Sequence, residues 1–510
     1  MKITKKLLCL VLALLMLIAW LIACGKPTAG GAEESSDSPD VTTDEVIETD
    51  QYGQPIYSDP TAGLSFGGKT ANFLVREGSQ YLREWYSKEP VDNVDQQIFT
   101  RNKTVESALN VKLNFIVQKE GDNNKEFYDK VINTGVAGLG GIDVVSGFAA
   151  YATNQAAMPY YLNWYDSEKL PYINLDRSYW NQNYIKDATA FDKLYVCVGD
   201  MNLSLYDRCM VVFFNKAKAE QYIKDSSGNV IDLYELVNSG QWYYETFYGM
   251  IKDIYEDTGT TVNERDYTDF YGVTGIKGSE ASDAFLYSLG GMLTETAADG
   301  SHALVTETNL TKLGNIYQAM TDFWYSNGAV MPTDSPTNYD VFTGGHALFN
   351  VDVVWHYQSG LTKLQAMDDG YGIIPMPKLD EDQENYITGV QDAYNVLSIM
   401  DCGGNQDFEM ISAILEKMAF ESYTNVRAYY VENILMTRNM DFNSATCFNY
   451  VLNGIRFDFA DIYCTSIGWV REALWRSPFQ AQAEFTTAWA NSKKYNKKVQ
   501  DFDAWLVSQG

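Results

Sequence analysis

Residues 138–152 read GLGGIDVVSGFAAYA: a glycine turn, an apolar strand over 142–145, then Ser146 and Gly147 ahead of a run of small residues. Gly138, Gly140 and Gly141 precede the strand instead of following one and lack the GxGxxG spacing, so they make a tight turn and not a dinucleotide cradle. Upstream, TANFLVRE (70–77) is a short apolar strand, and VDQQIFTRNKTVESALN carries Ile98, Val105 and Leu109 at helical spacing. VKLNFIVQ (111–118) alternates as a strand, and FYDKVINTGVAG is a helix closed by glycines. Strand, helix, strand, helix, strand predicts an α/β fold with a parallel sheet covered by helices. Such sheets bind ligands at the carboxyl ends of their strands. That puts Glu77, Gly78 and residues 147–151 at a binding edge.

The chain opens with MKITKKLL and an almost uninterrupted apolar run over 7–23, the layout of a secretory signal. Leu21, Ile22 and Ala23 lead into Cys24 and Gly25, which resembles the bacterial lipobox. That resemblance implies cleavage after residue 23 and diacylglycerol on the Cys24 thiol; an uncleaved anchor helix is the alternative, since the run is near the minimum of about 17 residues for a span. Residues 26–60 are rich in Ser, Thr, Asp, Glu, Gly and Pro, with Lys26 the only basic residue, and cannot bury a core. The expected layout is a signal over 1–23, a lipidated and disordered acidic tether over 24–67, and a globular body about 30 Å from the bilayer.

Beyond the signal stand 35 basic and 67 acidic residues, a net of −32, with no basic block. Nucleic acid and anionic lipid surfaces, which need clustered Lys and Arg, are therefore poor partners. A body of this length calls for at least two lobes. Cys197, Cys209, Cys402, Cys447 and Cys464 show no zinc spacing; buried thiols are expected, with one disulfide, for example Cys447 to Cys464, as the alternative. His302, His346 and His356 are too scattered for a metal site, and no cofactor is expected. Tyr (36), Phe (24) and Trp (11) exceed what a core needs and suit a cleft with apolar faces and hydrogen-bonding edges.

After IDVVSG come, in order, DKLYVCVGD, MVVFFNKAKAE, GQWYYETF, DFYGVTG, GGHALFNVDVVWH, YGIIPMPK and DAYNVLSIM. Together they resemble family 1 extracellular solute-binding proteins, the maltose-binding-like receptors of ABC importers, from about residue 68 to 510. The resemblance implies a two-lobe type II clamp with a hinge, the chain crossing between lobes more than once. On this sequence it implies one lobe over 68–172 and 374–425 and another over 173–373 and 426–510. Pro375 and Pro377 flank a short apolar strand where a stiff crossover would help, and FEMISAILEKMAFES reads as an amphipathic helix.

A sugar offers an apolar C–H face and a rim of hydroxyls, so its receptor needs rings to stack on and planar polar groups at their edges. The resemblance places a stacking tryptophan at Trp355, with Asp352 and His356 as hydrogen-bonding neighbours. Phe148 and Tyr151 follow the third strand, from which relatives reach the ligand. Asp207 and Arg208 precede MVVFFNK, where relatives place a polar contact, and Asp200 lies in the preceding GD turn. Glu77 and Trp85 complete the first-lobe candidates. Trp469 and Trp475 are six apart, so at least one is core; Trp475 is retained because relatives use an aromatic from this region. Trp242 is expected to be structural.

Catalysis is not expected. GLSFG (63–67) matches GxSxG but precedes the first strand, whereas a nucleophile elbow needs a strand ahead of it. The two resemblances together imply a monomeric lipoprotein on the outer face of a bacterial, Gram-positive-type cytoplasmic membrane. It would capture a carbohydrate, an oligosaccharide in view of the aromatic content, and pass it to ABC permease subunits served by a separate ATPase. The alternative is a surface binding or sensing lipoprotein for a peptide or polyol, uncoupled from import.

Overall fold

The computed structural model describes residues 48–49, 55–86, 90, 92–258, 264–276, 280–332, 336–354, 363–364, 366–403, 406–431 and 442–509. The signal segment, Cys24, Trp355 and His356 lie outside the described residues. Residues 1–56 and Tyr57–Gly510 form separate units; the second carries both major sheets.

The first sheet begins with β1 (Lys69–Arg76), β2 (Val111–Gln118) and β3 (Val144–Phe148), all parallel. The intervening helix Asn93–Leu109 is capped by Asp92 and buries Ile98, Val105 and Leu109, the spacing that marked it in the sequence. The third strand runs on through Ser146 and Gly147 to Phe148, further than its apolar residues suggested, because Gly147 and Phe148 pair with a neighbouring strand.

The second sheet takes β4 (Met210–Asn215), β5 (Phe270–Gly275), β6 (Ala347–Val353) and β7 (Tyr371–Pro375), in the order β7-β4-β6-β5 with a short edge strand, Tyr255–Glu256. All four main strands are buried along their whole length, which is why they read as continuous apolar runs instead of alternating. The chain then rejoins the first sheet as β8 (Asn395–Ile399), antiparallel to β3.

The expected return at 374 is thus corrected: Ile374 and Pro375 pair with β4 in the second sheet. Much of 173–200, expected with the second lobe, packs on the first sheet's side. Cys197 bridges Leu397, and Trp180 donates its indole N–H to Glu416 at 3.0 Å. The tether expected to reach 67 is fixed from Tyr57 onward. Tyr57 Oη bonds Ser178 Oγ at 3.2 Å, and Asp59 pairs at 2.7 Å with Lys417, whose side chain is only 4% exposed. A buried ammonium needs a carboxylate, and the sequence gives no sign of which one supplies it. Lys417 and Glu416 also make the helix Phe408–Glu421 almost wholly buried, not amphipathic.

Three segments join the sheets. Residues 197–210 and 389–397 run antiparallel, with Met210 N–H bonding Gly389 O and Gln391 N–H bonding Arg208 O, both at 2.9 Å. Residues 454–456 lie beside them: Thr388 N–H bonds Gly454 O at 2.8 Å and Arg456 N–H bonds Thr388 O at 3.2 Å. The five cysteines beyond the signal region are buried thiols, Cys447 and Cys464 included.

Candidate functional site

The carboxyl ends of β1 and β3 put Arg76 and Phe148 at one edge of the first sheet, with Asn395 of the antiparallel β8 directly opposite Phe148. Arg76 is buried and held there. Its Nε bonds Glu120 Oε1 at 3.0 Å and its Nη1 bonds Asn395 Oδ1 at 2.9 Å. Its guanidinium lies over two rings, Tyr81 at 3.7 Å and Phe148 at 4.3 Å from the centroids, where cation–π attraction adds to packing.

From Phe148 the aromatic contacts continue to Tyr151, with centroids 5.4 Å apart, and from Tyr151 to Trp469, 5.2 Å away and inclined at 67°. Tyr151 and Trp469 line an open cavity of about 760 Å³ together with Asn123, Gly468, Glu472, Ala473, Ser477 and Tyr495. One wall therefore comes from the first sheet's edge and the other from the C-terminal segment. Both rings are half-buried, and burial pushes the Tyr151 hydroxyl pKa up, keeping it a neutral donor and acceptor.

The local backbone is unusual here. Trp469 sits at φ 60°, a left-handed conformation that costs a bulky residue energy and is found at ligand clamps. The turn Glu472–Arg476 that follows is π-helical, a wide winding that recurs at functional sites. Behind it, Arg471 pairs with Asp392 at 2.7 Å and Asp461 at 3.1 Å, and Arg476 pairs with Asp283 and with Asp392 at 3.4 Å. Burial opposes ionisation of Asp392, yet Arg476 and Arg471 hold its carboxyl below the usual range. This network ties the cavity wall to the crossover at 389–397.

The candidates from sequence are dispersed in the structure. Tyr151 lines the cavity, and Phe148 adjoins it through Tyr151. Arg208 lies on the crossover, where its Nη1 bonds Gln391 Oε1 at 3.2 Å and its Nη2 reaches Tyr81 Oη at 3.5 Å. Asp207 beside it accepts from the Tyr430 hydroxyl. Glu77 is exposed, next to β2, with its N–H on Gln118 O.

The remaining described candidates are engaged in the interior. Trp85 is fully buried and donates to Ser146 Oγ at 2.8 Å; Trp475 is fully buried and donates to Ser282 O at 3.2 Å. Asp352, inside β6, accepts from Asn338 Nδ2, and buried Asp200 accepts from Tyr206 and, at 3.3 Å, from Arg427. The tryptophan pair is thus reversed: Trp475 is core and Trp469 faces the cavity. The signal for Trp469 was the preceding Gly468, at φ 80°, which reorients the chain before the helix. Tyr81, Arg76, Glu472 and Asn123 had no distinguishing pattern.

No protein-family model matches the sequence, and no curated protein is detectably similar to it. Among solved structures, a cyclo/maltodextrin-binding protein complexed with maltotetraose superimposes with a TM-score of 0.53 at 12% identity, over 84% of this chain and 96% of that one. This chain has a two-lobe binding-protein fold. Two further structures match less well. The GacH receptor of Streptomyces glaucescens, solved unliganded and with acarbose, gives a TM-score of 0.46 at 13% identity over 87% of this chain and 98% of its own. A solute-binding protein of an ABC transporter from Thermotoga lettingae, bound with α-D-tagatose, gives 0.48 at 13% over 85% and 100%. At these identities the likeness concerns the fold, and the site must be argued from its own residues.

Proposed function

We propose that this protein is a lipid-anchored extracellular receptor that captures a carbohydrate, an oligosaccharide, between two lobes and delivers it to an ABC permease. The observation that carries this reading is the Tyr151–Trp469 wall of the open cavity. Two aromatic rings supply apolar faces for sugar C–H groups, while Asn123, Glu472, Ser477 and the Tyr495 hydroxyl supply hydrogen-bonding edges. The lobes are taken as the bodies around the two sheets, and the hinge as the crossovers at 197–210, 389–397 and 454–456. A ligand touching both lobes favours the closed arrangement by its differential contacts, and that difference drives closure. No chemistry is asked of the protein itself.

The apolar N-terminal run and Cys24 support anchoring at the outer face of a bacterial cytoplasmic membrane, with the body acting as a monomer. The maltotetraose complex of the structural neighbour supports a sugar of several rings. Thermal shift of the full-length protein in detergent, screened against maltodextrins, other neutral and charged glycans, peptides and polyols, tests the reading. Ligand at a hundred times its Kd stabilises by about 2.7 kcal/mol. A saturable shift with a glycan that is lost in Trp469→Ala is the expected result; a shift with peptides or polyols alone refutes the carbohydrate assignment.

A further inference from the structure

Arg208 stands apart from the other buried arginines. Arg76 faces Glu120, while Arg471 and Arg476 face Asp283, Asp392 and Asp461. Arg101 makes no ion pair among the described residues, though the Glu84 carboxylate acts on it, and it spends its donors on Glu84 O, Trp85 O, Asn102 Oδ1 and Ser422 Oγ. Arg208, only 5% exposed, has neither solution among the described residues. Its two bonds go to neutral groups, Gln391 at 3.2 Å and the Tyr81 hydroxyl at the 3.5 Å limit, and its Nε is buried without a partner.

Among the described residues the neighbouring carboxylates are engaged elsewhere. Asp207 takes the Tyr430 hydroxyl, Asp392 takes Arg471 and Arg476, and Glu280 is drawn to Arg476 and accepts from Gln391. An uncompensated buried cation is costly, so its presence calls for a partner that these contacts do not supply.

Resting on the reading of the cleft as a carbohydrate site, we infer that the sugar it takes is acidic, bearing a carboxylate or a sulfate ester, and that Arg208 receives that group. The Nε and Nη2 atoms form the guanidinium edge that accepts a planar acid through two parallel bonds. On Arg208 this edge carries only the long Tyr81 contact, which an entering oxyanion displaces. A chain of touching side chains connects it to the cavity: Trp469 to Tyr151, Tyr151 to Phe148, both Phe148 and Tyr81 to Arg76, and Tyr81 to Arg208. Neutral rings stack at the aromatic end while the acid reaches the crossover, so the ligand spans several residues of sugar. Because the acid meets a residue of the hinge ribbon, its arrival also bears on lobe closure.

The test is calorimetry on the full-length protein in detergent against oligogalacturonates, glucuronate-substituted xylo-oligosaccharides, sulfated galacto-oligosaccharides, maltodextrins and cello-oligosaccharides. The tightest acidic ligand is then compared with its carboxyl-reduced or desulfated counterpart. Neutralising the group is expected to weaken binding about 10- to 100-fold, the range of a charge-assisted contact. Arg208→Gln removes that difference, and Arg208→Lys, which keeps charge but not the fork, retains part of it. Preference for a carboxylate or a sulfate tells which acid is read. A neutral glycan binding as tightly as every acidic one overturns the inference and leaves the sugar receptor standing; binding of peptides or polyols alone overturns both. If Arg208→Gln does not fold, the comparison of acidic and neutralised ligand on the unaltered protein still decides.

Discussion

The Trp469 ring meets the Tyr151 ring at 67° across 5.2 Å, joining the C-terminal segment to the edge of the first sheet. Removing either ring should strip the cavity of a stacking surface while leaving the core intact. We expect Trp469→Ala and Tyr151→Ala each to lower glycan affinity about tenfold or more, in the manner of central aromatic contacts. Trp475→Ala, by contrast, empties a fully buried site and should cost about 3–5 kcal/mol of stability. Calorimetry and urea denaturation on the three variants separate the two roles. Equal loss of stability in all three would contradict the assignment of Trp469 to the cavity.

Glu84 should make the protein less stable as pH rises. Its side chain is about 1% exposed, and burial raises its pKa from 4.5 to about 7 against the hydrogen bonds it accepts from Ser204 N–H at 2.8 Å and Asn395 Nδ2. Below pH 4.5 the group is protonated in folded and unfolded chains alike and contributes nothing. Between 4.5 and about 7 the unfolded chain releases the proton and the folded chain keeps it, so stability falls with rising pH. Above about 7 the loss is complete, on the order of 3 kcal/mol. In Glu84→Gln this component disappears. Denaturation from below pH 4.5 to above pH 7 should show the variant gaining on the wild type across that window and running parallel to it outside; a constant difference would refute the shifted pKa.

Gly147 is a packing requirement of β3. A Cβ there would lie 2.3 Å from Tyr128 Oη, which itself donates to Phe148 O at 3.2 Å. Gly147→Ala should destabilise by about 1–3 kcal/mol through overpacking and weaken ligand binding through Phe148 and Tyr151. Adding Tyr128→Phe removes the offending oxygen and should recover part of both losses, a coupling that a double-mutant cycle measures. Strict additivity would place the cost elsewhere.

Asp59→Ala should loosen the chain from Tyr57 to Phe66 without unfolding the body. Lys417 keeps its second carboxylate, Glu421, at 2.8 Å, so the global cost should stay below the about 3–5 kcal/mol of a buried charge left unpaired. Hydrogen exchange is the appropriate probe. Faster exchange confined to 57–66 is expected, and unchanged exchange there would show that Asp59 does not hold the segment.

The first sheet was legible because each of its elements carries its own periodicity: Ile98, Val105 and Leu109 mark the helix, and the glycine turn fixes where β3 starts. The crossings were less so. Ile374 and Pro375 look the same in sequence whether their strand neighbours β4 or β3, because a buried strand is apolar on both faces. Tyr151 was placed by its position after a strand, whereas for Trp469 against Trp475 the one mark in the sequence was Gly468. A π-helical turn after Trp469 changes which side chains face inward, and no residue pattern announces that turn. The Arg208 anomaly is likewise invisible in sequence, since it consists of what does not surround the residue. Trp355 and His356 lie outside the described residues, so the sequence expectation for them stands as it was.

The three segments that join the sheets lie side by side, bonded to one another through Arg208, Thr388, Gly389 and Gly454. A single connecting strand can twist as readily as it bends. A ribbon three strands wide bends about one axis and resists torsion, so the bodies it joins can open and shut like a book but cannot slew past each other. Arg471, two residues after Trp469, is paired with Asp392 of that ribbon at 2.7 Å, so the stiffness of the spine also sets where the cavity's aromatic wall stands.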